Sequence, residues 1–99
     1  MSALPIQLRG YMVADAPQVL WARGDQGPFN LAGDSISAHV RPPAKSVDLV
    51  VLPAIGGGSG QITFTVPTTL GNKYGPGLYQ LTIVSAAYGV THDGTLEIV

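Results

Sequence analysis

The sequence contains no cysteine, which removes disulfide scaffolds, cysteine-ligated zinc sites and thiol catalysis together. Charge is also scarce. Charged residues make up 11% of the 99-residue chain, against about 25% in an ordinary soluble domain. Five basic and six acidic residues leave a net charge of −1, so the basic stripe expected of a nucleic-acid binder is missing. No window approaches 18 uninterrupted apolar residues, and the run from Leu49 to Ile55 is broken by Pro53; a transmembrane helix is not expected. Met1 to Leu8 contains Pro5 and Gln7 and lacks a basic segment followed by an apolar one, so it does not read as a secretory signal. These absences predict a protein made in a cytoplasm, without nucleic-acid or membrane partners.

What is present is apolar and rich in chain breakers. Hydrophobic residues reach 45%, with 13 Gly and 8 Pro. Disorder needs the opposite balance, low hydrophobicity with high net charge. The length suits one domain, residues 1–99, with 1–8 expected as an extended N-terminal arm because termini are mobile unless tied down.

Strand periodicity dominates. In Asp34 to Arg41, Ile36, Ala38 and Val40 alternate with Ser35, Ser37, His39 and Arg41, the period of two that marks a half-buried strand. Gln61–Val66, Tyr79–Ile83 and Thr95–Val99 repeat it. Ser46 to Leu52 is nearly continuous apolar, as for a strand covered on both faces. Ile6–Met12 and Gln18–Ala22 are weaker candidates. Pro42-Pro43 ends one strand, Gly56 to Gly60 links two others, and Tyr88-Gly89 fits a hairpin turn needing positive φ at the glycine. Pro67 to Tyr74 allows at most one short helical turn, limited by Gly71 and Gly75. The pattern predicts an all-β fold, a β-sandwich or a small barrel. Its expected core is Ile36, Ala38, Val40, Leu49, Val51, Ile62, Phe64, Val66, Tyr79, Leu81, Ile83, Leu96 and Ile98.

Chemistry-bearing patterns are weak. Gly56 to Gly60 lacks the Lys-Ser/Thr pair and following helix of a phosphate loop. His39 and His92 lie 53 positions apart and, even with Asp48 or Asp93 as helpers, have no metal-ligand spacing; both read as solvated histidines. Ser59 is fourth rather than third in its glycine run, so there is no nucleophile elbow. Arg23-Gly24-Asp25 reads as a solvated turn. No enzyme, cofactor or metal is expected.

The aromatics are more informative. Trp21, Phe29, Tyr74 and Tyr88 lie at segment ends, where they serve either to plug the sandwich or to anchor a partner. With Met1, Leu4 and Ile6 of the arm they are the candidate assembly contacts. Tyr79, following Gly77-Leu78, reads as a tyrosine that locks a corner through its hydroxyl.

Several stretches carry a family likeness: Phe29-Asn30-Leu31-Ala32-Gly33 before the Ile36 strand, Gln61 to Pro67, Pro76-Gly77-Leu78-Tyr79-Gln80-Leu81, and Gly89-Val90 to Val99. Over residues 29–99 this layout resembles the small immunoglobulin-like domains of tailed-phage and prophage structural proteins, including the N-terminal domain of baseplate upper proteins. The resemblance implies an immunoglobulin-like antiparallel β-sandwich of about seven strands and a non-enzymatic virion protein of capsid decoration, neck, tail or baseplate, whose partners are other virion proteins and copies of itself. A carbohydrate- or receptor-binding module, with Trp21, Tyr74 or Tyr88 stacking on a sugar, is the alternative expectation.

Overall fold

The computed structural model describes residues 3–24, 27–43 and 49–99. The alternating segments form strands where expected. They are β5 (Ile36–Arg41), β7 (Gln61–Val66), β8 (Gly77–Ser85) and β9 (Gly89–Ile98). The weaker candidates appear as β1 (Leu4–Gly10) and β2 (Ala16–Trp21), the expected strand at 46–52 overlaps β6 (Val50–Gly56), and the structure adds the two-residue β3 (Arg23–Gly24) and β4 (Gly27–Pro28). Seven of them run in the order β1-β9-β8-β5-β6-β7-β2.

That ribbon folds into two layers because β6 changes partner along its length. Val50 to Ala54 pair with β5, whereas Ile55 and Gly56 pair with β7. One layer is therefore β1-β9-β8-β5 with the start of β6; the other is the end of β6 with β7 and β2. The pairings β2–β7 and β5–β8–β9 match the B–E and C–F–G pairings of an immunoglobulin sandwich.

Where the two edge strands approach, the Gln18 side-chain amide donates to the Arg9 carbonyl across 2.9 Å. A Cβ on Gly10 would come within 2.8 Å of Val66, so this end of the sandwich is nearly closed into a barrel.

Three expectations are corrected here. The sheet is mixed rather than wholly antiparallel, because β1 pairs parallel with β9, from Leu4 opposite His92 to Gly10 opposite Ile98. Residues 4–8 of the expected arm are consequently a paired edge strand. The helical segment α1 spans Thr68–Tyr74, seven residues rather than a single turn. Gly71 does not stop it. That glycine is buried, and a Cβ there would meet Met12 Sδ at 2.6 Å and Ile98 Cγ2 at 3.1 Å, so its lack of a side chain lets the helix lie against the sandwich. The Asp15 carboxylate, from the loop before β2, accepts from the Thr68 N–H at 2.9 Å and satisfies one of the orphan donors of the first turn.

All of the expected core residues are buried except Leu49 and Val51, which are 46% and 54% exposed. Ala16, Leu20, Ala22, Leu31 and Leu70 join the core instead. The part of the Ser46–Leu52 expectation from 46 to 48 lies outside the described residues. The Gly56–Gly60 stretch is a hairpin connection, with Gly57 N–H bonded to the Gln61 carbonyl at 2.8 Å.

Tyr79 is fully buried near the start of β8, and its hydroxyl donates to the Gly75 carbonyl at 2.5 Å. Burial, with Tyr74 as a lesser cause, raises its pKa above the ordinary phenol value, keeping the hydroxyl protonated as a donor. This bond pins the end of α1 to the corner between the layers. Tyr79→Phe removes it and leaves the Gly75 carbonyl without that donor; a loss of about 1–3 kcal/mol in unfolding free energy is expected, measured by urea denaturation.

Candidate functional site

The candidate contact residues do not form one site. Leu4, Trp21, Phe29 and Tyr88 gather at one end of the sandwich, tied together by backbone pairing and hydrogen bonds. Asp34 accepts a short hydrogen bond from the Ser85 hydroxyl, and Ser85 Oγ accepts from the Tyr88 N–H at 3.0 Å. This fixes the turn between β8 and β9, where Gly89 has the expected positive φ of 80°. The Tyr88 ring then stacks on Phe29 with centroids 4.4 Å apart and planes 10° from parallel. Phe29 is half-buried and lies over Gly24. Each ring therefore spends one face on the other.

Trp21 stays 53% exposed at the end of β2, and Leu4 38% exposed at the start of β1. Ile6 is half-buried and packs against the core. Tyr74 sits at the opposite end on α1, also packed against the core, with the Lys73 ammonium 5.3 Å from its ring centroid. Met1 lies outside the described residues.

His92 departs from its expectation as a solvated histidine: it is 2% exposed. The cause is the length of β9. Alternation from Ile98 and Leu96 continues through Gly94 to His92, which stands opposite the buried Ile83; beyond it the register shifts, Val84 pairs with Val90, and Thr91 is an extra residue that turns inward as well. A carbonyl only accepts, so His92 Nε2–H donates to the Trp21 carbonyl (2.9 Å), leaving Nδ1 to accept from the Thr91 hydroxyl (2.9 Å). His92 thus ties β9 of one layer to β2 of the other. Desolvation by burial lowers its pKa, with the Trp21 carbonyl opposing in part.

The unfolded chain takes up the proton first, at about pH 6.5, while the folded form resists it. Stability is complete above that pH and falls as acid takes the solution through it towards the lower folded value. Urea midpoints between about pH 7.5 and 5.5 are expected to decline, and the part of the decline due to this group to vanish in His92→Gln.

His39 bonds Ser37 Oγ at 2.9 Å on the outer side of β5. Asp93 accepts from the Thr82 hydroxyl at 3.3 Å. His39 pairs with Thr82 and Thr82 with Asp93, placing His39 and Asp93 two strands apart, about 10 Å. Among the described residues no group of three or more His, Asp or Glu could hold a metal ion. Asp48 and Asp25 lie outside the described residues.

The feature that sequence reasoning missed is a contrast between the two outer faces. The first layer presents Arg9, Arg41, His39, Asp93 and Glu97 among its strand residues, with an ion pair of 3.0 Å between Arg9 and Glu97. Strands β2, β6 and β7 contain no Asp, Glu, Lys, Arg or His at all. On the second layer's outer side, Pro17, Val19 and Trp21 of β2 stand opposite Thr65, Thr63 and Gln61 of β7, and Thr63 in turn faces Ile55 of β6. Val19 is 52% and Ile55 75% exposed. Between the Pro17–Val19 ridge and Pro53–Ile55 lies a shallow cleft of about 410 Å³ with Thr63 and Thr65 along its floor.

An apolar run in β6 was legible as a strand with two apolar faces. The structure covers only one of them. No known protein family, no curated protein and no solved structure matches the chain.

Proposed function

We propose that this chain is a non-enzymatic structural and assembly protein of a phage-like particle, working through protein–protein contacts. The observation that carries the reading is the charge-free outer face of the second layer, where Val19, Trp21 and Ile55 remain exposed. Interface cores are depleted in charge and enriched in aromatic side chains, and contiguous apolar exposure on a small domain marks a contact surface. The sequence resemblance over residues 29–99 supplies the kind of assembly.

A glycan-stacking role has less support. Phe29 and Tyr88 already cover one face of each other's rings, and Tyr74 is packed against the core; Trp21 is the most exposed of the candidate rings, ahead of Tyr88.

The test is direct. Particles released from induced cultures of the source cell, banded on a density gradient, should contain this chain by mass spectrometry at a fixed ratio to the major structural proteins. Its absence from banded particles, with the chain recovered only from the supernatant, would overturn the reading.

A further inference from the structure

We infer that the charge-free face of β2, β7 and the end of β6 is covered by the same face of a second copy of this chain. The inference rests on the contact role proposed above and names the partner.

Strand addition at an edge is the usual alternative for a small sandwich, since free N–H and C=O groups invite another strand. Here the open edges are blunted. Pro5 lies in edge strand β1, Pro17 in edge strand β2, and Pro53 in the stretch of β6 that has β5 on one side and no paired strand on the other. Proline has no N–H to give to a ladder. Association through a face is therefore favoured over association through an edge.

The shape of this face suits itself. It offers an apolar ridge, Pro17–Val19 continuing to Trp21, directly beside a trough floored by Thr63 and Thr65 and closed by Pro53 and Ile55. A two-fold contact needs one patch to supply both projection and recess, and here the ridge of each copy enters the trough of the other. Charge is compatible too. A two-fold axis brings like groups towards one another, and these three strands have no ionisable group to repel. The same operation on the opposite outer face would have to accommodate Arg41, Asp93 and the Arg9–Glu97 pair.

Area sets the strength. Two strands of six residues and the short end of β6 beside them, about 4.8 Å apart and with side-chain overhang, give a strip of about 250 Å² in projection. That is well short of the ~800 Å² per partner in a standard stable complex. The dimer is accordingly weak and concentration-dependent, suited to a subunit that is held firmly only when many contacts act together.

Sedimentation equilibrium of the whole chain from about 20 μM to 1 mM tests the claim. The wild type should shift from monomer towards dimer over that range. Val19→Lys and Thr63→Lys, on the ridge and in the trough, should each weaken self-association at least ten-fold, and Gln80→Lys, exposed on the opposite layer, should leave it unchanged. Thermal melts identify any variant that fails to fold; Val19 is half-exposed, so its replacement is the safer of the two.

A wild type that stays monomeric at 1 mM would overturn the proposal, as would a folded Val19→Lys that dimerises normally or a Gln80→Lys that dissociates. A monomeric chain that is nevertheless found in banded particles would refute the second-copy partner alone. A dimer absent from particles would refute the particle role and leave the self-contact standing.

Discussion

Phe64→Ala is expected to lower the unfolding free energy by about 3–5 kcal/mol. Phe64 sits in the middle of β7, 5% exposed, with its ring in the core between the layers. Removing it forfeits the transfer free energy of the ring and leaves a cavity that the paired strands on either side cannot collapse. A domain of this size has about 5–15 kcal/mol of net stability, and no disulfide constrains the unfolded chain. The variant should therefore lose a large share of its stability, visible as a reduced urea midpoint with little change in slope. A loss below about 1 kcal/mol would mean that the two layers are not closed over β7 as described.

Gly94→Ala is expected to have the other large effect, for a different reason. Gly94 lies in β9 opposite Ile6 of β1 and Leu81 of β8. A Cβ there would run into the Ile6 carbonyl and come within 2.9 Å of the Ile6 backbone nitrogen. A flexible side chain could move aside; backbone paired along seven positions cannot do so without breaking its register. The methyl group should cost about 1–3 kcal/mol or more, and the loss should be concentrated in β1. Amide exchange checks this: protection at Ile6 to Leu8 should collapse, while protection at Leu81 and Ile83 persists. Uniform loss across β8 and β9 would contradict the parallel placement of β1.

How much of this was legible follows the physics of each segment. Strands with one wet and one dry face announce themselves, and Ile36–Ala38–Val40, Ile62–Phe64–Val66 and Leu81–Ile83 are buried as their alternation requires. The Tyr79 corner was readable because the glycine and leucine before it and the hydroxyl on it are local features. β6 was readable as a strand over Val50–Leu52, without its continuation through Pro53 to Gly56, and not in its environment: apolar residues on both faces cannot say which face the rest of the chain covers, and Leu49 and Val51 are outside.

The pairing of β1 with β9 joins residues about 88 positions apart, which no local pattern encodes. His92 was misjudged because its strand was taken to begin at Thr95, whereas β9 begins at Gly89, and the inward alternation of Ile98 and Leu96 runs back through Gly94 to His92. The charge-free face escaped for a related reason. Attention to aromatics found Trp21, but its neighbours Val19, Ile55, Pro17 and Thr63 become a surface only when three strands from distant parts of the chain lie side by side.

The central claim is that contacts run through the charge-free face of β2, β7 and the end of β6. Amide chemical shifts of the isotope-labelled chain, followed as its concentration rises, test it residue by residue. Displacements are predicted to cluster at Val19, Trp21, Ile55, Thr63 and Thr65, with Gln80, Thr82 and Glu97 unmoved. Displacements confined to the first layer's outer face or to the β1 edge, or none at any concentration, would contradict it.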